Sequence, residues 1–139
     1  MILKVKLDNG AYKPERAHRT DAGWDLRTPN EAVLSARGSV KIDTGVHVDI
    51  PAGYVGFIKS KSGLNVKHDI QSEGVVDSGY DGPVVVKLYN HGDTDYRFAA
   101  GDKITQLVIL PIADIDDVNV VDDIGTHERG DNGFGSSGR

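Results

Sequence analysis

A chain of 139 residues with 16 basic and 21 acidic side chains, a net charge of −5 and no cysteine is bounded before any motif is read. It holds one domain's worth of residues, enough to bury roughly two-thirds of the surface its unfolded chain exposes, and it has no disulfide and no thiolate metal site. The acidic balance speaks against a duplex nucleic-acid binder, which carries a basic footprint, but leaves room for a small anion held by a few local cations and backbone N–H groups.

The start, MILKVKLDNG, alternates and reaches Asp8 without the apolar run of a signal peptide or membrane helix, so the expectation is a soluble, cytoplasmic protein with no membrane partner. The dominant period along the chain is two. In SVKIDTGVHVDI, Val40, Ile42, Val46, Val48 and Ile50 fall on even positions, with Gly45 as a bend or bulge. YVGFIKS follows the turn signal Pro51-Ala52-Gly53, and PVVVKLYN and KITQLVILPI are β-branched runs between turn residues. MILKVKL and DYRFA are weaker strands. Helical spacing is limited to about one turn near Ser62–Lys67. Many short strands punctuated by Gly, Asp and Pro predict an all-β sandwich or barrel. After Ile124 the apolar residues nearly vanish, which divides the chain into a β-domain, 1–124, and a mobile, glycine-rich segment, 125–139.

Five segments place polar residues or glycines where a sandwich does not need them. In HRTDAGWDLRT, Asp21 and Asp25 are either turn acids beside a strand or carboxylates for a hydrated Mg²⁺ next to phosphates. In KSKSGLNVK, Lys61, Ser62 and Gly63 either open an anion-binding helical turn or contain an ordinary serine cap. In SEGVVDSGYDGPVVV, Asp77 is a turn residue or a buried-edge general base, and Tyr80 is sandwich packing or a flat surface for a sugar or base. Gln106 is an amide inside an apolar strand and needs a hydrogen-bond partner, from another strand's backbone or from a ligand. The last segment, ERGDNGFGSSGR, joins Arg129 and Phe134 to glycines and hydroxyls able to wrap phosphate oxygens. Its Arg-Gly-Asp tripeptide also matches an adhesion signal, which suits a secreted protein and not this one.

In this order, DAGWDL, KSGL, GVVDSGY, GDKITQL and RGDNGFGSSG resemble the five motifs of the trimeric dUTPase family, and they span Asp21 to Gly138. The resemblance implies a jelly-roll-like β-barrel subunit, a homotrimer with shared active sites, and hydrolysis of dUTP to dUMP and pyrophosphate, which lowers dUTP and supplies dUMP for thymidylate synthesis. It implies Asp77 as the base that activates water at the α-phosphorus, Tyr80 against the deoxyribose, and Asp25 holding Mg²⁺ through water. Lys61, Ser62, Gly63 and Gln106 are carried over as phosphate contacts, Arg129 as a γ-phosphate contact and Phe134 as the cover over uracil. Gly135, Ser136 and Ser137 are carried over as ligands of terminal phosphate oxygens. Uracil is expected to be read by the backbone of a hairpin within Asn65–Gly74, Gly74 included. The chain departs from the family pattern at Lys61, where arginine is usual, and at Asn65, Ser72, Glu73, Gly79, Asp81 and Trp24.

Two other functions compete. A dCTP deaminase of the same fold family expects a glutamate base, which the Asp77-x-x-Tyr80 pattern and the fifth segment do not supply. A dUTPase-like binding or regulatory module would function without Asp77.

Overall fold

The computed structural model describes residues 1–138. Nine strands and one short helix run in the order β1 (Lys4–Leu7), β2 (Gly23–Arg27), β3 (Ala32–Leu34), β4 (Ser39–Asp49), β5 (Tyr54–Lys59), α1 (Ser62–His68), β6 (Ile70–Asp77), β7 (Pro83–Asn90), β8 (Tyr96–Phe98) and β9 (Lys103–Pro111). The fold is all-β, as the period-two pattern predicts, and jelly-roll-like, as the family resemblance implies. Seven strands pair in the order β1-β4-β7-β6-β5-β9-β2, and β3 pairs with β8.

Strand β6 joins the two halves of the large sheet. Its first residues, Ile70–Ser72, pair with Leu88–Asn90 of β7, whereas Glu73–Asp77 pair with Val55–Lys59 of β5. The β6–β7 ladder therefore opens toward the connecting turn. One side of the strands fills the core: Leu26, Ile42, Val46, Val48, Ile58, Ile70, Val76, Val86, Leu88 and Leu107 are all buried, each contributing about 1.5–3 kcal/mol relative to exposure.

Gly45, at φ 66°, lies in the predicted irregularity of β4. Between Asp43↔Val85 and His47↔Pro83, β4 takes four steps to β7's two, a bulge of the kind that re-aims side chains. Thr44 Oγ1 donates to Val84 O at 2.7 Å across it.

The segment 65–74 is not a hairpin. Residues through His68 are helical, and Asp69, left-handed at φ 55°, closes the helix with its N–H on Asn65 O and Leu64 O. The chain then enters β6 directly, whose alternation of Ile70, Ser72 and Val76 inward is that of a strand. The tight reversal into the next strand lies at Asp77–Gly82, where Gly79 and Gly82 mark it in the sequence. Strands β2 and β3 are not marked by the period-two pattern, because their apolar runs are short and Asp25 interrupts that of β2.

Candidate active site

Asp25 lies in β2, not in a turn; Asp21 is the turn acid, accepting from His18 N at 2.9 Å. Across β9 the register sets Asp25 opposite Gln106, and Gln106 opposite Lys59 of β5, so three strands converge at one end of the sheet. Asp25 is 5% exposed. Its Oδ1 is paired with Lys61 Nζ, and its Oδ2 lies 2.7 Å from Lys103 Nζ. Burial pushes the Asp25 carboxyl up, but the hydrogen bonds and charges of Lys103 and Lys61 outweigh it and hold the group below the usual carboxylate range. Two ammonium groups on one carboxylate leave a net positive cluster suited to an anion.

Gln106 finds its partner in a neighbouring strand: Nε2 donates to Ser60 O at 2.9 Å. Ser60 is held further from its other side. Its hydroxyl donates to Ser72 O at 3.2 Å and accepts from Ser72 N at 3.0 Å. Ser72 Oγ lies 2.7 Å from Thr105 Oγ1, which donates to Lys59 O at 2.9 Å. Since Thr105 uses its proton on Lys59 O, Ser72 is the donor to Thr105. Ser72, a departure from the family pattern, is thus a buried brace beneath the segment that presents Lys61. The residue ahead of α1 is Lys61, and no side chain caps the helix, so Ser62 is its first residue rather than its cap. Ser62 and Gly63 are both exposed, and their N–H groups precede the first intrahelical bond, Asn65 N to Lys61 O.

The second group lies at the open end of β6 and β7. Gly74, Asp77 and Tyr80 line a cleft of about 220 Å³ with Ile58, Val76 and Pro83–Val85. On the β7 side, β6 is paired only through Ile70–Ser72; Gly74–Val76 are paired with β5, and beyond Ser72 the other edge of β6 opens onto the cleft, where alternation leaves the main chain of Val75 facing it. Asp77 is exposed, not a buried-edge carboxylate, because β6 turns its odd residues outward. Its carbonyl accepts from Tyr80 N at 3.2 Å to close the turn. Gly79, at φ 88°, takes the left-handed position of that turn, a conformation that glycine adopts without strain. The Tyr80 hydroxyl donates to Pro83 O at 2.9 Å, which fixes the ring at the mouth of the cleft.

These two groups are apart in one chain. Val55, opposite Asp77, and Lys59, opposite Gln106, are four residues apart on β5, or about 13 Å along a strand. The fifth segment joins neither. Every residue from Leu110 to Gly138 is exposed. Phe134 is exposed, Arg129 Nε donates to Asn132 O at 2.7 Å, and Ser136 N bonds Gly133 O at 2.8 Å. Gly135 and Ser137 lie in that same exposed turn.

Among the described residues no three His, Asp or Glu side chains gather as a metal-ligand set. Both Asp25 oxygens already accept from ammonium groups, so a directly ligated Mg²⁺ would have to displace a lysine, whereas contact through the ion's own water would not. No helix among the described residues is long and apolar enough to cross a membrane. Sequence reasoning missed Lys103 and His47; a lysine opening the strand that carries Gln106 was the available signal for the first.

The curled antiparallel sheet thus carries a cationic cluster at one end and, at the other, a cleft lined by Tyr80 with the Asp77 carboxylate exposed beside it. The dUTPase family model matches residues 10–138. The chain is 41% identical to the deoxyuridine 5'-triphosphate nucleotidohydrolase of Oryza sativa subsp. japonica, over 99% of this chain and 81% of that one. It is likewise 41% identical to that of Eremothecium gossypii, over 98% and 90%. Among solved structures it resembles a Staphylococcus bacteriophage 80alpha dUTPase mutant with dUpNHpp, at TM-score 0.87 and 34% identity over 99% of both chains. It also resembles a mutant dUTPase of the S. aureus phage phi11, described with a structural Mg(II) ion, at TM-score 0.81 and 31% identity over 89% of this chain and 99% of that one. The chain belongs to the dUTPase family and is a hydrolase of nucleotide metabolism.

Proposed function

We propose that the protein hydrolyses dUTP to dUMP and pyrophosphate in the cytoplasm, lowering dUTP and supplying dUMP for thymidylate synthesis. The observation that carries this reading is the β6–β7 cleft, where the open β7-side edge of β6 at Val75, the Tyr80 ring and the Asp77 carboxylate stand at one mouth. Main-chain donors and acceptors on a splayed hairpin read the edge of a uracil. Tyr80, fixed through Pro83 O, packs on the deoxyribose and leaves no room for a 2′-hydroxyl.

Asp77 has no hydrogen bond to its carboxylate among the described residues, so its oxygens are free for water. It takes a proton as that water's oxygen attacks the α-phosphorus; the bond to the bridging oxygen breaks and pyrophosphate leaves. Lys61, Ser62, Gly63 and Gln106 bind and orient the phosphate chain, with Lys103 as a further cation. Asp25 is the residue that would hold Mg²⁺, through water; when bound, the metal neutralises charge on the triphosphate.

The separation of these groups supports a homotrimer in which each site is completed by neighbouring copies. So do Ile112, Ile115, Val118, Val120, Val121 and Ile124, all exposed on one extended segment; a stripe of this kind is normally covered by a partner. From a neighbour, Arg129 reaches the γ-phosphate, Phe134 covers the uracil, and Gly135, Ser136 and Ser137 bind terminal phosphate oxygens.

Hydrolysis in heavy-oxygen water tests the chemistry. Label in dUMP is the expected result, and label in pyrophosphate would place the attack at the β-phosphorus and remove Asp77 from the role given to it.

A further inference from the structure

We propose that His47 is a positioning residue for the nucleotide cleft: as an imidazolium it bolts the Asp77–Gly82 turn, and with it Tyr80 and Asp77, to β4 and to Asp8. The geometry is specific. His47 Nδ1 lies 2.7 Å from Asp81 O, one residue past Tyr80, and Nε2 lies 3.0 and 3.1 Å from the two oxygens of Asp8. Asp8 is itself fixed, its N–H donating to Gly45 O at 2.8 Å in the β4 bulge. That bulge ends at His47, opposite Pro83 at the start of β7.

A carbonyl and a carboxylate both only accept. Both ring nitrogens must therefore donate, and the ring that satisfies this arrangement carries two protons. A neutral ring has one N–H. It either turns a lone pair on Asp81 O and releases the turn, or turns one on the Asp8 carboxylate and loses its anchor. The Asp81 carbonyl and then the Asp8 carboxylate raise the affinity of His47 for its second proton above the ordinary histidine value, against partial burial and the charge of Lys6. The other groups along this groove of about 380 Å³ are Lys4 and Asp49, paired with each other at 3.2 Å, with Gly79, Tyr80 and the Asp81 side chain from the turn. Lys6 faces His47 directly across β1–β4, and among the described residues Asp8 is the one carboxylate bonded to the ring. The sign follows: the bolt is in place at low pH and is lost as pH rises through the raised value.

The consequence for turnover rests on the cleft being the nucleotide site; the bolt itself does not. The experiment follows full-length wild type, His47→Gln and Asp8→Asn across pH, with thermal melting at each pH. Three readouts are taken: KM and kcat for dUTP, hydrogen exchange of the Tyr80 amide, and nitrogen NMR of the His47 ring. The expected wild-type result is a ring protonated at both nitrogens at low pH. KM then rises about five- to ten-fold and Tyr80 exchange quickens beyond simple base catalysis as the ring deprotonates. His47→Gln raises KM at low pH and flattens that transition. Asp8→Asn moves the transition to lower pH, a displacement that loss of stability alone does not produce. A singly protonated His47 at low pH, or one KM and exchange profile shared by all three proteins, overturns the proposal. If wild type fails to hydrolyse dUTP, the functional reading falls, while the ring protonation and Tyr80 exchange still decide the bolt.

Discussion

Gln106 Nε2 donates to Ser60 O at 2.9 Å, and through that one bond β9 fixes the residue before Lys61. The amide has its position because Gly23, on β2, has no side chain. A Cβ on Gly23 would overlap Gln106 Oε1 and stand 2.8 Å from its Cδ.

Gly23→Ala is therefore expected to destabilise the fold by about 1–3 kcal/mol through overpacking. It should also displace Gln106 from Ser60 and weaken nucleotide binding. Urea denaturation and a binding titration check both effects; unchanged stability would mean that the amide has an alternative rotamer at no cost.

The Asp25 cluster gives the fold an acid limit. A carboxyl held low by Lys61 and Lys103 contributes stability at neutral pH. That contribution is fully present above the unfolded carboxylate range and is lost as pH falls through the lowered folded value. Asp25→Asn should cost about 1–3 kcal/mol at neutral pH, moderated by the partly exposed lysines. The gap to wild type should narrow in acid, as denaturation at a series of pH values will show.

Tyr80 is held at the cleft mouth by its own hydroxyl on Pro83 O. Tyr80→Ala should raise KM for dUTP and admit UTP, reducing discrimination between the two by about ten- to a hundred-fold. The ratio of kcat/KM values measures it. Retained discrimination would place sugar selection elsewhere.

A chain ending at Ile124 should keep the melting temperature and the oligomeric mass of the full protein and lose most turnover. The fold supplies the reason: residues beyond Leu110 are exposed, so removing the last ones takes no core with them. Sedimentation, melting and steady-state kinetics on the truncated chain check this. Normal turnover would reduce the segment to a linker.

Much of this architecture was legible in the sequence. The alternation of Val40, Ile42, Val46, Val48 and Ile50 marks β4, and Gly45 marks its bulge. PVVVKLYN coincides with β7, and Ser62–Lys67 with most of α1. Strand β6 was obscured because Ser72 and Gly74 occupy inward positions where a strand usually shows apolar residues; the structure fills one with a hydroxyl network and leaves the other against Ile58. Asp25 was legible as chemistry but not as a buried ion cluster, since its partners lie 36 residues away at Lys61 and on β9 at Lys103. His47 gave no local signal at all. Its role depends on the bulge that brings it to Asp81, a contact 34 residues distant.

The proposed reaction makes this hairpin cleft a dUTP hydrolase with Asp77 as the base. The most direct measurement is the initial rate of pyrophosphate release from dUTP by wild type and Asp77→Asn side by side, with Mg²⁺ present. Robust release by wild type and a loss of about a hundred- to ten-thousand-fold in the variant are expected. No release by wild type, or comparable rates for the two proteins, would contradict it.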